Sequence, residues 1–282
     1  MSGTDTAHKD RTFFGHPPVL ANLFGVELWE RFSFYGMQGI LLIYLYYSAG
    51  RGGLGIDEGT ATSIVGAYGG LVYLSTILGG WLADRLLGAE RTLFYAAIVV
   101  MCGHIALALI PALGGVAVGL VLIGFGSGGV KANATSLVGT LYGEHDERRD
   151  GGFSLFYLGI NLGALVGPIL TGLLQKGAGF HYGFGLAAAG MFLGIVQYGA
   201  GRRRLGASAR EVPNPLPAAA LRRTALIAAG VVLVVVALLI SGVLPASRYA
   251  TAVAVISAVA AVVYFAVILR SKQITDIERR RV

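Results

Sequence analysis

Within the stretch VELWERFSFYG, residues 26–36, the chain places Glu27, Glu30 and Arg31. Their spacing is i, i+3 and i+4, so in a helix all three share one face. Tyr35 lies one turn beyond Arg31 and Gln38 about one turn further, while Leu28, Phe32 and Phe34 occupy the other faces. The flanks, ANLFGV before and LLIYLYY at 41–47, are suited to lipid. A lone charge near mid-bilayer costs roughly 2.5–3.5 kcal/mol on insertion scales, so the stripe is predicted to face protein or a wet cavity. The three groups sum to −1, and Lys131, inside another apolar run, supplies +1. A carboxylate beside two cations can take a proton by changing its partner, which is the chemistry of a proton relay. The competing reading is a static ion cluster, although buried ion pairs add little net stability.

The elements that must carry these groups follow from composition. The 282 residues are 55% hydrophobic and 13% charged, with 43 glycines, far from the roughly 25% charge of a soluble domain. That balance predicts an integral membrane protein. Apolar stretches near 20 residues give eight predicted spans, at about 21–48, 59–82, 91–111, 115–141, 151–175, 182–200, 220–243 and 249–270. The first twenty residues are polar and show no removable signal peptide, so the first apolar segment is read as a span. The fold class expected is an all-α polytopic bundle: a cytoplasmic tail at 1–20, six helices over 21–200, a basic Pro-containing linker at 201–219, a transmembrane hairpin at 220–270 and a tail at 271–282.

Seventeen of the 22 basic residues fall in one set of alternate loops and three in the other. The positive-inside rule then predicts both termini on the cytoplasmic side of the cytoplasmic membrane. Glycine pairs at four-residue spacing, Gly66/Gly70, Gly124/Gly128, Gly159/Gly163/Gly167 and Gly190/Gly194, predict close helix packing.

Other chemistry is sparse. The net charge of +7 is spread through loops without a basic face, which argues against nucleic acid. The single cysteine, Cys102, offers no disulfide or zinc spacing and is read as a small buried hydrophobe. His104 has no partner at helical spacing and is read as a packing or interfacial residue. No nucleophile elbow, phosphate loop or metal-ligand spacing points to an enzyme; GFGSGG at 124–129 sits in a span and reads as helix packing.

Four motifs carry a resemblance. ExxERFxxY at 27–35, GGWLADRLLGAERT at 79–92, KANATSLVGTLY at 131–142 and FYLGINLGAL at 156–165 stand in order, and together the chain resembles the N-terminal half of the proton-dependent oligopeptide transporter (POT) family of the major facilitator superfamily. The last two spans resemble the extra helix pair of bacterial members. The resemblance implies proton-coupled symport of di- and tripeptides, with no cofactor beyond the proton gradient. Glu27, Glu30, Arg31 and Lys131 would couple protons, the first and fourth helices being equivalent in inverted repeats. Arg31, Tyr35, Gln38, Tyr73, Lys131 and Asn161 would contact peptide, and Asp84 and Arg85 would form a gating loop. Phe34 stands where relatives often carry tyrosine, and Gln38 where some carry arginine.

The resemblance also implies a second six-helix half that supplies the opposite wall of the cavity. SKQITDIERRRV at 271–282 reads as the lead into its first helix, so the expectation is a fragment, a truncated product or a half completed by another polypeptide. A non-transporting membrane fragment, or a transporter of the same fold for another small solute, is the alternative reading.

Overall fold

The computed structural model describes residues 12–143, 145–241 and 243–270. The tail at 271–282, and residues 1–11 of the first tail with Lys9 and Arg11, lie outside the described residues. Eight long helices follow one another: α1 (Pro18–Tyr46), α2 (Glu58–Leu82), α3 (Ala89–Leu109), α4 (Ala112–Gly139), α5 (Arg149–Ala178), α6 (Phe180–Gly201), α7 (Ala218–Ile240) and α8 (Tyr249–Arg270). Each predicted span overlaps one of them. The fold is the all-α bundle expected, six helices with a further pair.

Local chemistry sets the helix starts. Pro18 stands in the first turn of α1, where a missing N–H costs nothing. The Asp57 side chain accepts a hydrogen bond from Thr60 N–H (2.9 Å) at the start of α2. Backbone donation at that cap holds the exposed Asp57 carboxyl below the usual aspartate range. Gly179, at φ +104°, turns the chain between α5 and α6 in a conformation other residues rarely adopt.

Segments 58–87, 89–109, 112–139, 149–178, 180–205 and 246–266 are long and apolar enough to cross a membrane. α1 is as long but carries three charges, and it answers them by enclosure: its buried residues run from Leu20 to Leu45. It is wrapped by α5 and α6, α3 packs on α4 and α6, and α2 packs on α4 and α8.

The glycine pairs make these contacts close. A side chain at Gly159 or Gly167 would meet Phe24 or Phe32 of α1, and one at Gly163 would meet the α1 backbone at Leu28 and Phe32. Gly190 and Gly194 of α6 rest on Phe32 and Trp29, and Gly124 and Gly128 of α4 on Leu71 and Ser75 of α2. Gly66 and Gly70 of α2 receive Ala250 and Val253 of α8, where Ser63 Oγ also accepts a hydrogen bond from the Ala250 N–H (3.1 Å). Without a hydrophobic drive between helices in lipid, such close approach supplies the packing energy.

Thr171 adds a polar tie, donating from Oγ1 to the Gly36 carbonyl across α5 and α1 (2.8 Å). A Thr171→Val variant keeps the shape and loses the bond. It is expected to be destabilised by about 0.6 kcal/mol, the average for such bonds in membranes. A lowered midpoint of thermal unfolding in detergent checks this, and an unchanged midpoint would show that the bond contributes nothing.

The basic segment predicted at 201–219 packs on the bundle. Short helical turns at Arg202–Leu205 and Ser208–Arg210 fold back onto the bundle, burying Leu205 and Ala209. Cys102 corrects the expectation of a buried hydrophobe: it is exposed on α3. In an all-apolar helix, hydrophobicity cannot tell the lipid-facing side from the protein-facing one. His104 is fully buried, and neither ring nitrogen has a hydrogen-bond partner among the described residues.

Candidate functional site

The charged stripe of α1 folds into a compact ion cluster. Arg31 Nε stands 3.1 Å from Glu27 Oε1, and Arg31 Nη2 stands 2.6 Å from Glu30 Oε2. Relative exposures are 3% for Glu27, 0% for Glu30 and 5% for Arg31, so the stripe faces protein as its cost in lipid requires. Helical spacing alone explains why one guanidinium reaches both carboxylates, since Glu27 and Arg31 are one turn apart and Glu30 is adjacent. The guanidinium also lies over the Phe34 ring, 5.2 Å from its centroid, and Phe34 packs against Tyr68 of α2 with centroids 5.8 Å apart. Among the described residues Glu27 Oε2 has no hydrogen-bond partner, and neither does the buried Tyr68 hydroxyl.

Lys131 corrects the expected pairing. It makes no ion pair with Glu27 or Glu30 among the described residues; its Nζ sits 4.3 Å above the ring of Tyr73, a cation–π contact. α4 presents Lys131 towards α2, and Arg31 already takes both carboxylates. Tyr73→Leu is expected to free the ammonium, worth about 0.5–2 kcal/mol, and to raise the rate at which Lys131 reacts with an amine-modifying reagent. Tyr73→Phe keeps the ring and should leave that rate unchanged; equal rates in all three proteins would dismiss the contact.

The remaining predicted residues are spread over open surface. Tyr73 is 66% exposed, Tyr35 is exposed with its ring edge on Phe34, and Gln38 is half-buried. Asn161 is exposed on α5 and donates to the Tyr157 carbonyl (3.0 Å), so no hydrogen bond ties it to the ion cluster. Asp84 and Arg85 lie apart from the cluster, in a π-helical turn at Ala83–Leu87 that ends α2. The structure therefore joins Glu27, Glu30 and Arg31 directly, pairs Lys131 with Tyr73, and leaves Tyr35 and Asn161 exposed and Gln38 half-buried.

The protein-family model described as the POT family matches residues 90–281. The chain belongs to the POT family. It is 46% identical over 273 residues to the "Uncharacterized transporter YclF" of Bacillus subtilis (strain 168), covering 95% of this chain and 55% of that protein. It is 43% identical over 281 residues to a di-/tripeptide transporter of Lactococcus lactis subsp. cremoris, covering 96% and 56%. Among solved structures, a peptide transporter POT in complex with sulfate matches with a TM-score of 0.87 at 45% identity, covering 96% of this chain and 56% of that one. A POT family transporter in complex with 5-aminolevulinic acid matches with a TM-score of 0.90 at 41% identity, covering 96% and 57%. The chain spans about half the length of these relatives.

In this POT chain, reading the motifs alone missed Glu90. It falls inside the quoted segment GGWLADRLLGAERT and reads there as a loop residue, yet it is fully buried at the start of α3. Arg202 Nε stands 2.7 Å from its Oε1, and Arg210 Nε donates to its Oε2 (3.2 Å). The available signal was an acid between two arginines, on the side of the bundle predicted to carry the arginine excess.

Proposed function

We propose that this chain forms the N-terminal half of a proton-coupled symporter of di- and tripeptides, a multi-pass protein of the cytoplasmic membrane with both termini in the cytoplasm. The observation that carries the proposal is the enclosed Glu27–Glu30–Arg31 cluster, on a helix in contact with the α4 that bears Lys131, in a chain of the POT family. Glu27 takes a proton at its unpartnered oxygen, loosens its hold on Arg31 and shifts the balance of force on Lys131. Arg31 and Lys131 attract the carboxylate of the peptide. Tyr35, Gln38, Tyr73 and Asn161 line its path on the exposed wall, Asn161 towards its amino end. Asp84 and Arg85 form the turn that latches this half against its complement. A structure of one relative holds 5-aminolevulinic acid, which like a peptide carries an amine and a carboxylate, and this supports a site for zwitterions. A second six-helix half completes the cavity, so that rocking one half on the other exposes the midplane site to each side in turn. The domain division proposed is a bundle at 21–200, a basic segment at 201–219 and a helix pair at 220–270, between tails at 1–20 and 271–282.

The test joins the chain, after residue 282, to the second half of the Lactococcus relative and reconstitutes the product in proteoliposomes. An inward proton gradient is expected to drive accumulation of a labelled dipeptide, and excess unlabelled di- and tripeptides to compete with it. Gradient-driven uptake that peptides do not compete for would point to another small solute, and no uptake at all would overturn the proposal.

A further inference from the structure

Glu90 is a carboxylate with no exposed surface, and it lies outside the ion cluster of α1. Both of its oxygens are held by arginines that follow α6, and these arginines are themselves braced. The Arg202 guanidinium lies 4.0 Å over the Phe94 ring, and Arg210 Nη2 reaches the Arg202 carbonyl (3.5 Å). Immediately downstream, the chain crosses the turn that ends α2. The N–H of Asn214 donates to the Asp84 carbonyl (2.9 Å) and that of Leu216 to the Arg85 carbonyl (3.1 Å). Gly88, the left-handed residue closing that turn (φ +80°), lies so close to the Arg210 carbonyl that a side chain there would meet it. The segment therefore runs from one buried anchor to two backbone bonds on the residues of the turn.

We propose that Glu90 is a positioning residue. Its carboxylate clamps residues 202–216 as a strap across the Ala83–Leu87 turn, and the strap fixes where Asp84 and Arg85 stand. A buried anion bracketed by two arginines makes a strong anchor, because removing one partner leaves uncompensated charge out of water. The strap leads directly into α7, so α7 and α8 are mechanically continuous with the turn. The importance of the strap to transport rests on the reading of Asp84 and Arg85 as a gating turn; its attachment does not.

The experiment is amide hydrogen exchange on the whole 282-residue chain in lipid nanodiscs. Glu90→Gln is expected to speed exchange at least tenfold at Asn214 and Leu216 and across residues 83–88, while α1 and α5 keep their protection. Glu90→Asp, which keeps the charge, should retain most of the protection. Arg210→Gln, which removes one arginine and spares the buried acid, should speed the same amides less strongly and covers the case in which Glu90→Gln fails to fold. Unchanged exchange at 214 and 216 in both Gln variants would overturn the inference. So would a rise spread evenly over all helices, which marks a general folding role. In the completed transporter, Glu90→Gln should lower kcat and leave KM unchanged; unaltered kcat despite a released strap would refute its bearing on the gate. Absence of uptake in the unmutated transporter counts against the symport proposal alone, since the exchange data decide the strap independently.

Discussion

Glu27→Gln in the completed transporter is expected to abolish accumulation of a labelled dipeptide driven by a proton gradient, by at least tenfold, while peptide-for-peptide exchange continues. Glutamine preserves the size of Glu27 and keeps an oxygen near Arg31 Nε, which lies 3.1 Å from the native carboxylate. It cannot gain or lose a proton. Arg31 retains Glu30 at 2.6 Å, so the helix face stays neutralised and the fold is expected to hold. On the proposed mechanism, what disappears is the change of charge to which Arg31 and Lys131 respond. Lys131→Ala removes the second cation of the proposed mechanism and should give the same loss of gradient-driven uptake. Exchange needs the cavity but no net proton movement, which is why it separates coupling from binding. Gradient-driven uptake at the native level in both variants would sink the mechanism.

Gly163→Ala is expected to have the largest effect on stability. The added carbon would lie 2.9 Å from Phe32 N and 3.0 Å from Arg31 Cβ and would press on the Leu28 carbonyl. Two of these three neighbours are backbone, which cannot rotate away. Overpacking typically costs about 1–3 kcal/mol, and this site belongs at or above the top of that range. Thermal unfolding in detergent should show a strongly lowered midpoint, with loss of monodisperse protein. Gly172→Ala, on the same helix with nothing within 4 Å of the added carbon, is the control and should match the native protein. Equal midpoints for the two variants would show that α1 and α5 do not depend on close approach at Gly163.

The charge stripe was legible in the sequence because helical periodicity is local and because lipid forbids stray charge. Glu27, Glu30 and Arg31 needed only their spacing to be placed together. The glycine pairs were legible for a similar reason, as packing faces, although not which helix each would meet. Lys131 was not fully legible: its charge balances the stripe, but whether an ammonium sits on a carboxylate or on the face of Tyr73 depends on how α2 and α4 are rotated. Cys102 was misplaced because lipid and protein interior are both apolar, so hydropathy does not separate them. Glu90 was hidden by distance along the chain, its arginines standing at 202 and 210 in a segment that reads as a basic, Pro-containing linker.

The glycine seams also divide the bundle mechanically. At Gly163 and Gly167 the α5 backbone sits against that of α1, and at Gly79 and Gly128 the backbones of α2 and α4 meet in the same way, while Gly159, Gly190, Gly194 and Gly124 receive the side chains of Phe24, Phe32, Trp29 and Leu71. Seams of that kind are stiff, because interiors this dense have little compliance. Glu27, Glu30 and Arg31 ride on the first slab, Lys131 and Tyr73 on the second. On the proposed mechanism, a proton arriving at Glu27 alters a load carried between two closely packed plates, and the plates relieve it by shifting against each other.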